Sequence, residues 1–537
     1  MSEVRFADVI IIGAGVGGLA AAKTYLEQDP TADVLLLEQR NTLGGVWSKE
    51  NCHDNLRTNN LKGTLEFSAF PLGDEYGVED GTHIPGVVLH KYFSDFAAHF
   101  DLVRRIHLNT KVLSVLKSES GWEISSIVSD SAGVLEVKYH SNKLIVCTGL
   151  FSTANPVSIP GIDVFGKPVL NQGQMSVEGY AVAGDATVER VTVVSSSKAG
   201  YDAVELMASH GKSVDWVILK FDSVANMRFF AWFSPCVWGH FDGFQWIRNF
   251  LHRTLLGYWL VYGLWEALRC LFWSARVGIL NYPGNFHDYV TSGQVRIVRK
   301  DISHLSEGGQ VHLSDGVVLK SDALIASTGW NLAQSIRYYP AGLEASLGVP
   351  TADLTAEEES FWNYLDQEAD DQILSRFPML RKGPRRPIPY TQKVSAFRLY
   401  RGIAPPGLTA RGDRSIAFVD MIHSTGTTII AETQSLWAYA YLNNKLDIDE
   451  KKVYWQTALM SRYGKHRYPC GFSVWFPEFV FDTVPYADML MGDLGLRKWR
   501  KKTWLQEIFG RYSSRDYKDV NQEWKQKQST KGGFAKY

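Results

Sequence analysis

A glycine-rich segment near the start of the chain has the residue types and spacing of a dinucleotide-binding turn. The apolar run at residues 8–12 predicts a buried parallel strand that leads directly into Gly13, Gly15 and Gly18. The first glycine permits a tight turn, the second lets the backbone approach a pyrophosphate, and the third lets the next helix pack closely on the sheet. The amino end of that helix would offer N–H groups and a positive dipole end to the phosphates.

An acidic residue stands where such a site needs one. The next apolar run, residues 34–37, predicts the second strand, and Glu38 follows it about twenty residues after Gly18. A carboxylate at this position can accept hydrogen bonds from ribose hydroxyls. Because strand, glycine-rich turn, helix and acid occur in the expected order, the sequence predicts a Rossmann-like dinucleotide-binding domain.

Composition and the other reactive residues argue against several classes of function. The formal net charge of −1 gives no basic excess for nucleic acid. The 5 cysteines are scattered without a CxxC pair, which favours a reducing compartment and argues against a zinc site or a disulfide framework. No secretory signal is recognised, so a cytoplasmic location is expected. No metal site is expected either, because the histidines lack ligand spacing, including His53, His83, His90 and His423.

The segments after the second predicted strand resemble those of the flavin-containing monooxygenase family. Residues 44–47 read GGVW, and residues 56–71 read LRTNNLKGTLEFSAFP, with Ala69 where the family usually has Asp. The resemblance implies FAD as the cofactor, with Gly45 and Trp47 beside it. The closest similarity within the family is to fungal FAD-dependent monooxygenases of polyketide biosynthesis, of the aurofusarin and depudecin type.

The same resemblance gives Asn59 a catalytic role. It places Asn59 against the reactive edge of the flavin ring, where an amide can donate a hydrogen bond without acting as a strong acid. The alternative is that Asn59 only caps a turn.

Two later strand ends extend the resemblance along most of the chain. Thr148-Gly149 and Thr328-Gly329 each follow an apolar run, and they are similar to the paired motifs at which the family's chain leaves and re-enters the FAD domain. The implied fold is α/β, a two-dinucleotide-binding-domain flavoprotein in which a Rossmann-like NADPH domain is inserted in the FAD domain. The expected divisions are residues 1–170 and 323–537 for the FAD domain and 171–322 for the NADPH-type domain.

The expected NADPH site departs from the family pattern. The predicted strand at 191–194 is followed by Ser195, Ser196 and Ser197, where the family has glycines. Each added side chain would crowd a pyrophosphate and disfavour positive φ. Lys198 begins the next helix, and Lys220, at the end of the following strand, is expected to meet a 2′-phosphate.

Asn171 is a second departure, since it stands where the family usually has a histidine in the segment between the domains. Asparagine keeps a hydrogen bond but does not titrate near neutral pH. Two interpretations therefore remain open: the serine hydroxyls bind the phosphates of NADPH, with Ser197 and Lys198 in the site, or the domain persists as a scaffold that no longer uses NADPH.

An aromatic helical insert is expected at about residues 224–286. Its uncharged run, 254–265, is shorter than the roughly 20 residues that cross a bilayer. Buried helices, a lid for an apolar substrate, and peripheral membrane contact through residues 229–275 are the three interpretations. The basic stretch 497–536 is expected to be a solvated, partly disordered tail, with attraction to a membrane surface as the alternative.

The expected activity is monooxygenation with FAD, NADPH and O₂, by hydroxylation or epoxidation of a small lipophilic secondary metabolite derived from a polyketide. The alternative is a flavoprotein that holds FAD without using NADPH and acts as an oxidase or a redox-neutral catalyst.

Overall fold

The computed structural model describes residues 4–533, apart from 54, 131–132, 196, 218–231, 234–240, 242, 275–285, 333–334, 383–393 and 469–471. Lys220 and Ser196 therefore lie outside the described residues. Most strands fall into two separate sheets, and helices cover both.

The first sheet has 8 strands and is built around β1. β1 lies between β2 and β8 and is parallel to both, with Ile12 opposite Leu37 on one side and Val146 on the other. The sheet consists of β1 (Val4–Ile12), β2 (Val34–Leu37), β5 (Ile106–His107), β6 (Thr110–Ser118), β7 (Gly121–Asp130), β8 (Gly133–Val146), β17 (Arg337–Tyr339) and β18 (Ile416–Phe418). Val9, Ile10 and Ile11 are completely buried, which explains the unbroken apolar run seen in the sequence.

The second sheet is parallel throughout and has 5 strands in the order β12-β11-β10-β16-β9. These strands are β9 (Val169–Asn171), β10 (Arg190–Val194), β11 (Ser213–Val217), β12 (Val295–Val298) and β16 (Ala323–Ala326). In sequence, all strands of the second sheet lie between β8 and β17 of the first sheet, which confirms two nested dinucleotide-binding folds. The second sheet spans Val169 to Ala326. The expected domain boundaries at residues 170 and 323 stay predictions.

The remaining strands form two smaller sheets. β3 (Arg57–Leu61) pairs with β4 (His83–Pro85), and β13 (Ile302–Ser306), β14 (Gln310–Leu313) and β15 (Val318–Lys320) form an antiparallel sheet.

The helices fall into three groups by position in the chain. Those before the second sheet or within it are α1 (Val16–Gln28), α2 (Gly86–His99), α3 (Tyr180–Gly184), α4 (Lys198–Ser209) and α7 (Phe286–Thr291). The insert contributes α5 (Gln245–Arg253) and α6 (Leu255–Ser274). The chain after β17 contributes α8 (Leu343–Leu347), α9 (Ala356–Arg376), α10 (Pro406–Thr409), α11 (Thr427–Leu442), α12 (Val453–Arg467), α13 (Thr483–Leu494), α14 (Trp504–Phe509) and α15 (Val520–Gly533).

The core of the larger unit is centred on α11, which is buried from Thr428 to Leu442 and packs on α1. Tyr25 of α1 meets Tyr439 of α11 edge to face, with ring centroids 4.9 Å apart. Because α11 is buried on all sides, its polar residues Glu432, Thr433, Gln434 and Ser435 are hydrogen-bonded within the protein.

Residues 497–536 were expected to form a solvated, partly disordered tail. The structure shows instead that residues 497–533 are folded against the rest of the protein. Trp524 of α15 is 1% exposed, and Asn521 donates to Thr24 and Glu27 of α1. Arg515 forms an ion pair with the fully buried Glu66. The basic composition of this stretch reflects such ion pairs as well as solvent-exposed charges.

Candidate cofactor and substrate site

The glycine-rich turn has three glycines with different structural roles. Gly13 has φ +103° and its N–H donates to Leu37 O at 2.8 Å. A Cβ on Gly18 would lie 1.9 Å from Gly13 O, so only glycine lets α1 approach β1 this closely. A Cβ on Gly15 would meet nothing closer than 3.5 Å. The fold therefore needs Gly13 and Gly18, whereas the bare backbone at Gly15 leaves room for a ligand.

A second pair of glycines covers this turn. Gly44 N–H donates to Ala14 O at 2.9 Å, and Gly45 has φ +61°. A Cβ on Gly45 would lie 3.1 Å from Gly15 Cα. Trp47, two residues later, is half-buried against the main core. Gly15 and Gly45 thus face each other in a cradle of backbone without side chains, which fits a pyrophosphate.

Glu38 is held at the edge of this cradle. Its Oε2 accepts from Ala14 N–H at 2.8 Å and its Oε1 from Arg40 N–H at 3.0 Å. Burial raises the pKa of the Glu38 carboxyl, and these two backbone donors act in the opposite direction. The carboxylate is oriented by the turn itself, at the place where the sequence predicts contact with ribose hydroxyls.

Asp420 is a residue of the site that the sequence reasoning missed. It stands two residues after β18 and has φ +61°, and its N–H donates to Gln434 Oε1 at 2.8 Å. Its carboxylate accepts from Gly17 N–H in the first turn of α1, and burial raises its pKa to about 7. An acid just after the strand at 416–418 was the available signal. Asp420 adds an acceptor beside the amino end of α1.

Asn59 lies on the β3–β4 hairpin next to the chain that leads into α11. Asn59 is exposed, Thr58 is buried, and Asn60 Nδ2 donates to Thr425 O at 3.0 Å. This places the hairpin beside the amino end of α11, which begins at Thr427. The structure thus brings the strand that bears Asn59 beside the amino end of α11, and the catalytic role of Asn59 stays a prediction.

A second contact joins the same two segments. Glu432 of α11 accepts from Ser68 N–H at 3.0 Å and from Ser68 Oγ at 2.7 Å. Both residues are buried, and burial raises the pKa of Glu432 to about 7. Ser68, from the FSAFP segment, therefore ties the chain after the β3 strand to α11.

The two crossings between the sheets run side by side. Thr328 Oγ1 donates to Asn155 O at 2.7 Å, and Asn155 N–H donates to Gly329 O at 3.1 Å. Gly149, with φ +69°, and Gly329, with φ +79°, each turn the chain out of a strand end. Thr148 Oγ1 is 4.0 Å from Met421 Sδ. The predicted pairing of the two motifs is therefore seen in space, and their contact with cofactor stays a prediction.

An aromatic cluster lies beside these crossings. The Phe151 ring lies 6.2 Å from Trp330 and 5.6 Å from both His423 and Phe476, measured between centroids. A small cavity next to the cluster, about 10 Å³ in volume, is lined by Thr148, Gly149, Leu150, Ser152, Asn331, Leu332, Ser335, Phe397, Trp475 and Phe476. This cavity has room for about one water molecule.

His423 adds a polar group to this cluster. Its Nδ1 is 3.7 Å from Oε1 of Glu478, which is 4% exposed. Among the described residues, Glu478 Oε2 has no hydrogen-bond partner. His423 lies a few residues before α11 in the chain.

Ser195 and Ser197 form hydrogen bonds with each other at the amino end of α4. Ser195 Oγ accepts from Ser197 N–H at 3.0 Å and lies 2.9 Å from Ser197 Oγ. Lys198 forms an ion pair with Asp202 one turn later. A Cβ on Gly200 would lie 2.4 Å from Ser195 Cβ, which explains the glycine there. Ser195 thus supports the turn, and Ser197 stands at the helix end.

Asn171 takes a local structural role. Its Oδ1 accepts from Gly173 N–H at 2.8 Å, and its own N–H donates to Gln174 Oε1 at 3.0 Å. This is a capping box at the start of a short helical turn. The asparagine therefore provides hydrogen bonds at the segment between the sheets.

The described part of the chain contains no group of three or more side chains that could hold a metal ion. Of its cysteines, Cys52 and Cys147 are free thiols, and burial raises the pKa of Cys52 to about 11. Neither thiol is activated as a nucleophile.

Two nested dinucleotide folds with a glycine cradle on the first define a flavoprotein of the two-dinucleotide-binding-domain class. Comparisons with known proteins agree with this class. Residues 7–218 match the family model described as flavin-binding monooxygenase-like. The chain is 32% identical to the FAD-dependent monooxygenase rstn6 of Aspergillus nomiae, over 96% of this chain and 98% of the relative. It is 33% identical to the FAD-dependent monooxygenase resA of Aspergillus sclerotiorum, over 98% and 99%.

Solved structures show the same fold at lower identity. The closed structure of cyclohexanone monooxygenase aligns with a TM-score of 0.56 at 14% identity, over 92% of this chain and 99% of that one. S-allyl-L-cysteine S-oxygenase from Allium sativum gives 0.56 at 16%, over 99% and 100%. The chain belongs to the flavin-binding monooxygenase-like family and is an FAD-dependent monooxygenase, which confirms the resemblance, the fold class and the expected cofactor FAD.

Proposed function

We propose that this monooxygenase uses NADPH and O₂ to hydroxylate or epoxidise a lipophilic secondary metabolite derived from a polyketide. One observation carries the proposal: the segment that bears Asn59 contacts both the chain leading into α11 and helix α4. Asn55, just before the hairpin, donates to Ser209 Oγ of α4 at 3.1 Å, and Lys198 at the other end of α4 lowers the pKa of His83 in β4, after burial as the larger cause.

The FAD residues follow from the cradle. Gly13, Gly15, Gly18 and Gly45 would receive the pyrophosphate, Glu38 the ribose, and Trp47, Thr148, Gly149, Thr328 and Gly329 the remaining length of the cofactor. FAD, when bound, accepts electrons from a nicotinamide and activates O₂. Asn59 would donate its amide N–H to the reacting edge and so favour oxygen transfer over release of peroxide.

NADPH would bind at the amino end of α4. The helix end attracts anions through its N–H groups and its dipole. Ser197 Oγ stands at this end, and turning it away from Ser195 Oγ would let it donate to a phosphate. Lys198 would leave Asp202 to meet the same phosphate, and Lys220 is proposed for the 2′-phosphate.

The substrate would lie against the aromatic cluster around Phe151. Phe151, Trp330 and Phe476 offer ring faces and edges to a flat apolar molecule. His423 would hydrogen-bond a carbonyl or hydroxyl of that molecule. The resemblance of the sequence to fungal FAD-dependent monooxygenases of polyketide biosynthesis favours a polyketide-derived substrate. The other proposed interaction is peripheral membrane contact through residues 229–275, in a cytoplasmic setting.

A second candidate is favoured by the inward hydrogen bonding of the serine residues. With Ser195 Oγ and Ser197 Oγ only 2.9 Å apart, the turn is complete without a ligand. In that case the α4 domain would be a scaffold, and the protein would act as an FAD oxidase or a redox-neutral catalyst.

Stoichiometry separates the two candidates. Purified protein with FAD is supplied with NADPH, O₂ and a panel of lipophilic polyketides, and NADPH loss, product and hydrogen peroxide are measured together. Monooxygenation predicts equal amounts of NADPH consumed and oxygenated product formed. Peroxide formed with substrate oxidation and no loss of NADPH would overturn the proposal in favour of an oxidase.

A further inference from the structure

Helix α5 carries an apolar face that points into solvent. Trp246 is 69% exposed and Phe250 41%, and Arg253 is exposed one turn further on. Their spacing of four and three residues places all three on one side of the helix. Leu251 on the other side is buried. Solvent-exposed Trp and Phe in this register do not serve the core of the protein.

Helix α6 continues the same kind of face. Exposure is 77% for Leu255, 63% for Leu256 and 59% for Trp259, and Leu260 and Tyr262 are exposed as well. Across successive turns, these positions are three or four residues apart along one side of the helix. On the opposite side Val261 is fully buried, and a Cβ on Gly257 would lie 2.1 Å from Phe250 O. α5 and α6 therefore cross closely and present their apolar faces together.

The C-terminal stretch joins this surface. The Trp499 ring stacks on Phe244, just before α5, with centroids 5.1 Å apart and planes 5° from parallel. Ile508 of α14 packs in the same apolar cluster as Leu251 and Val261. On the outer side of α14, Trp504 is 66% exposed, and Leu505 and Phe509 are also exposed. Two segments more than two hundred residues apart thus form one surface, here called the aromatic face.

Cationic side chains accompany the aromatic face. Arg253, Arg497, Lys502 and Arg511 are exposed on its segments. The acid within α14, Glu507, is buried, and its carboxylate accepts from Tyr512 OH and from Lys501 N–H. The charge that α14 and its flanking residues offer to solvent is therefore mainly positive.

We propose that the aromatic face binds the interface of an anionic phospholipid bilayer. Trp and Tyr rings lie at the depth of the headgroups, Leu and Phe side chains enter the acyl boundary, and Lys and Arg extend to the lipid phosphates. The contact is peripheral, because no helix among the described residues is long and apolar enough to span a membrane. A second copy of the chain fits less well, since a symmetric interface would bring the cations of both copies together.

Vesicle sedimentation tests the proposal on the full-length protein with FAD bound. The probes are vesicles of phosphatidylcholine alone and of phosphatidylcholine mixed with phosphatidylserine. Sedimentation is expected with the anionic vesicles, more weakly with the neutral ones, and less at high salt. Trp259→Ser and Trp504→Ser together are expected to lower the partition coefficient about tenfold or more, as loss of inserted ring area requires.

A matched control uses exposed aromatic residues on another helix. Phe361 is 43% exposed and Tyr364 60% exposed on α9, so Phe361→Ser with Tyr364→Ser removes similar surface away from the aromatic face. Arg253→Gln with Lys502→Gln should reduce only the part of binding that responds to phosphatidylserine. Retained FAD absorbance shows that each variant is folded.

Three outcomes would overturn the proposal: wild-type protein that stays in solution with anionic vesicles, equal loss in the α9 control, or a dimer that the two tryptophan substitutions convert to monomer. The last result would assign the aromatic face to a second copy of the chain. None of these readouts depends on NADPH or substrate turnover, so they do not bear on the proposed reaction.

Discussion

The carboxylate of Asp420 lies against Gly17 in the first turn of α1, so that a Cβ on Gly17 would stand 2.5 Å from Asp420 Cβ. This contact connects two residues about four hundred positions apart in sequence. It places a buried acid, whose pKa is raised to about 7, at the positive end of the helix that begins the glycine cradle.

The raised pKa predicts a pH dependence of stability in the FAD-free protein. Between the unfolded pKa of 3.8 and the folded pKa of about 7, the folded state binds more protons at Asp420 than the unfolded state does. The contribution of Asp420 to stability therefore falls as pH rises through this window. Asp420→Asn should flatten the slope by up to about 1.4 kcal/mol per pH unit.

Denaturant unfolding between about pH 4.5 and 7.5 measures the slope of the unfolding free energy against pH. This range is roughly the one in which the folded and unfolded states differ in protonation at this carboxyl. Asp353→Asn, at an exposed position, serves as the control. An unchanged slope in Asp420→Asn would show that the carboxyl is ionised throughout this range.

A pair of glycine variants separates cofactor binding from folding. Gly15→Ala adds a Cβ that meets Gly45 Cα at 3.5 Å, an ordinary contact, on a backbone with φ −80°. We expect its FAD affinity to fall about tenfold or more, with little change in the stability of the FAD-free protein. Gly18→Ala would place a Cβ 1.9 Å from Gly13 O and should destabilise the fold itself.

FAD titration and thermal unfolding check both variants. If Gly15→Ala bound FAD as tightly as the wild type, the cradle between Gly15 and Gly45 would not be the pyrophosphate site.

Adjacent asparagines on β3 allow a similar separation. Asn60 donates to Thr425 O, so Asn60→Ala should cost about 1 kcal/mol of stability. Asn59 is exposed, so Asn59→Ala should leave stability unchanged and raise the share of NADPH oxidised with release of hydrogen peroxide. Urea unfolding and a peroxide assay report the two effects. A normal peroxide yield in Asn59→Ala would leave Asn59 without a role in the reaction.

The two serines before α4 also have distinct expected effects. Ser195 Oγ accepts from Ser197 N–H, so Ser195→Ala should lower stability by about 1 kcal/mol. Ser197→Ala should raise KM for NADPH about tenfold if its hydroxyl donates to a phosphate, and leave FAD content unchanged. Steady-state kinetics at varied NADPH would show the difference, and an unaltered KM would exclude Ser197 from the nucleotide site.

Much of the fold was predictable because its signals are local. The buried strand β1 follows from its apolar run, and the turn follows from Gly13 and Gly18. Each of these rests on periodicity or glycine spacing within one segment.

The rest depends on contacts between distant segments. The acid just after β18 is a local signal, but the contact of Asp420 with Gly17 depends on the packing of β18 beside β8. The C-terminal stretch was expected to be disordered from its charge, yet Arg515 pairs with the buried Glu66 and Trp524 packs on the core. Composition alone does not show which charges will find partners.

Anaerobic reduction of the bound flavin by NADPH is the decisive measurement for the proposed reaction. Protein with bound FAD is mixed with NADPH without oxygen, and the loss of oxidised flavin absorbance is followed. We expect stoichiometric bleaching by NADPH and recovery of the absorbance when O₂ is admitted. Flavin that stays oxidised with NADPH but is bleached by dithionite would contradict the proposed reaction and assign the α4 domain a scaffold role.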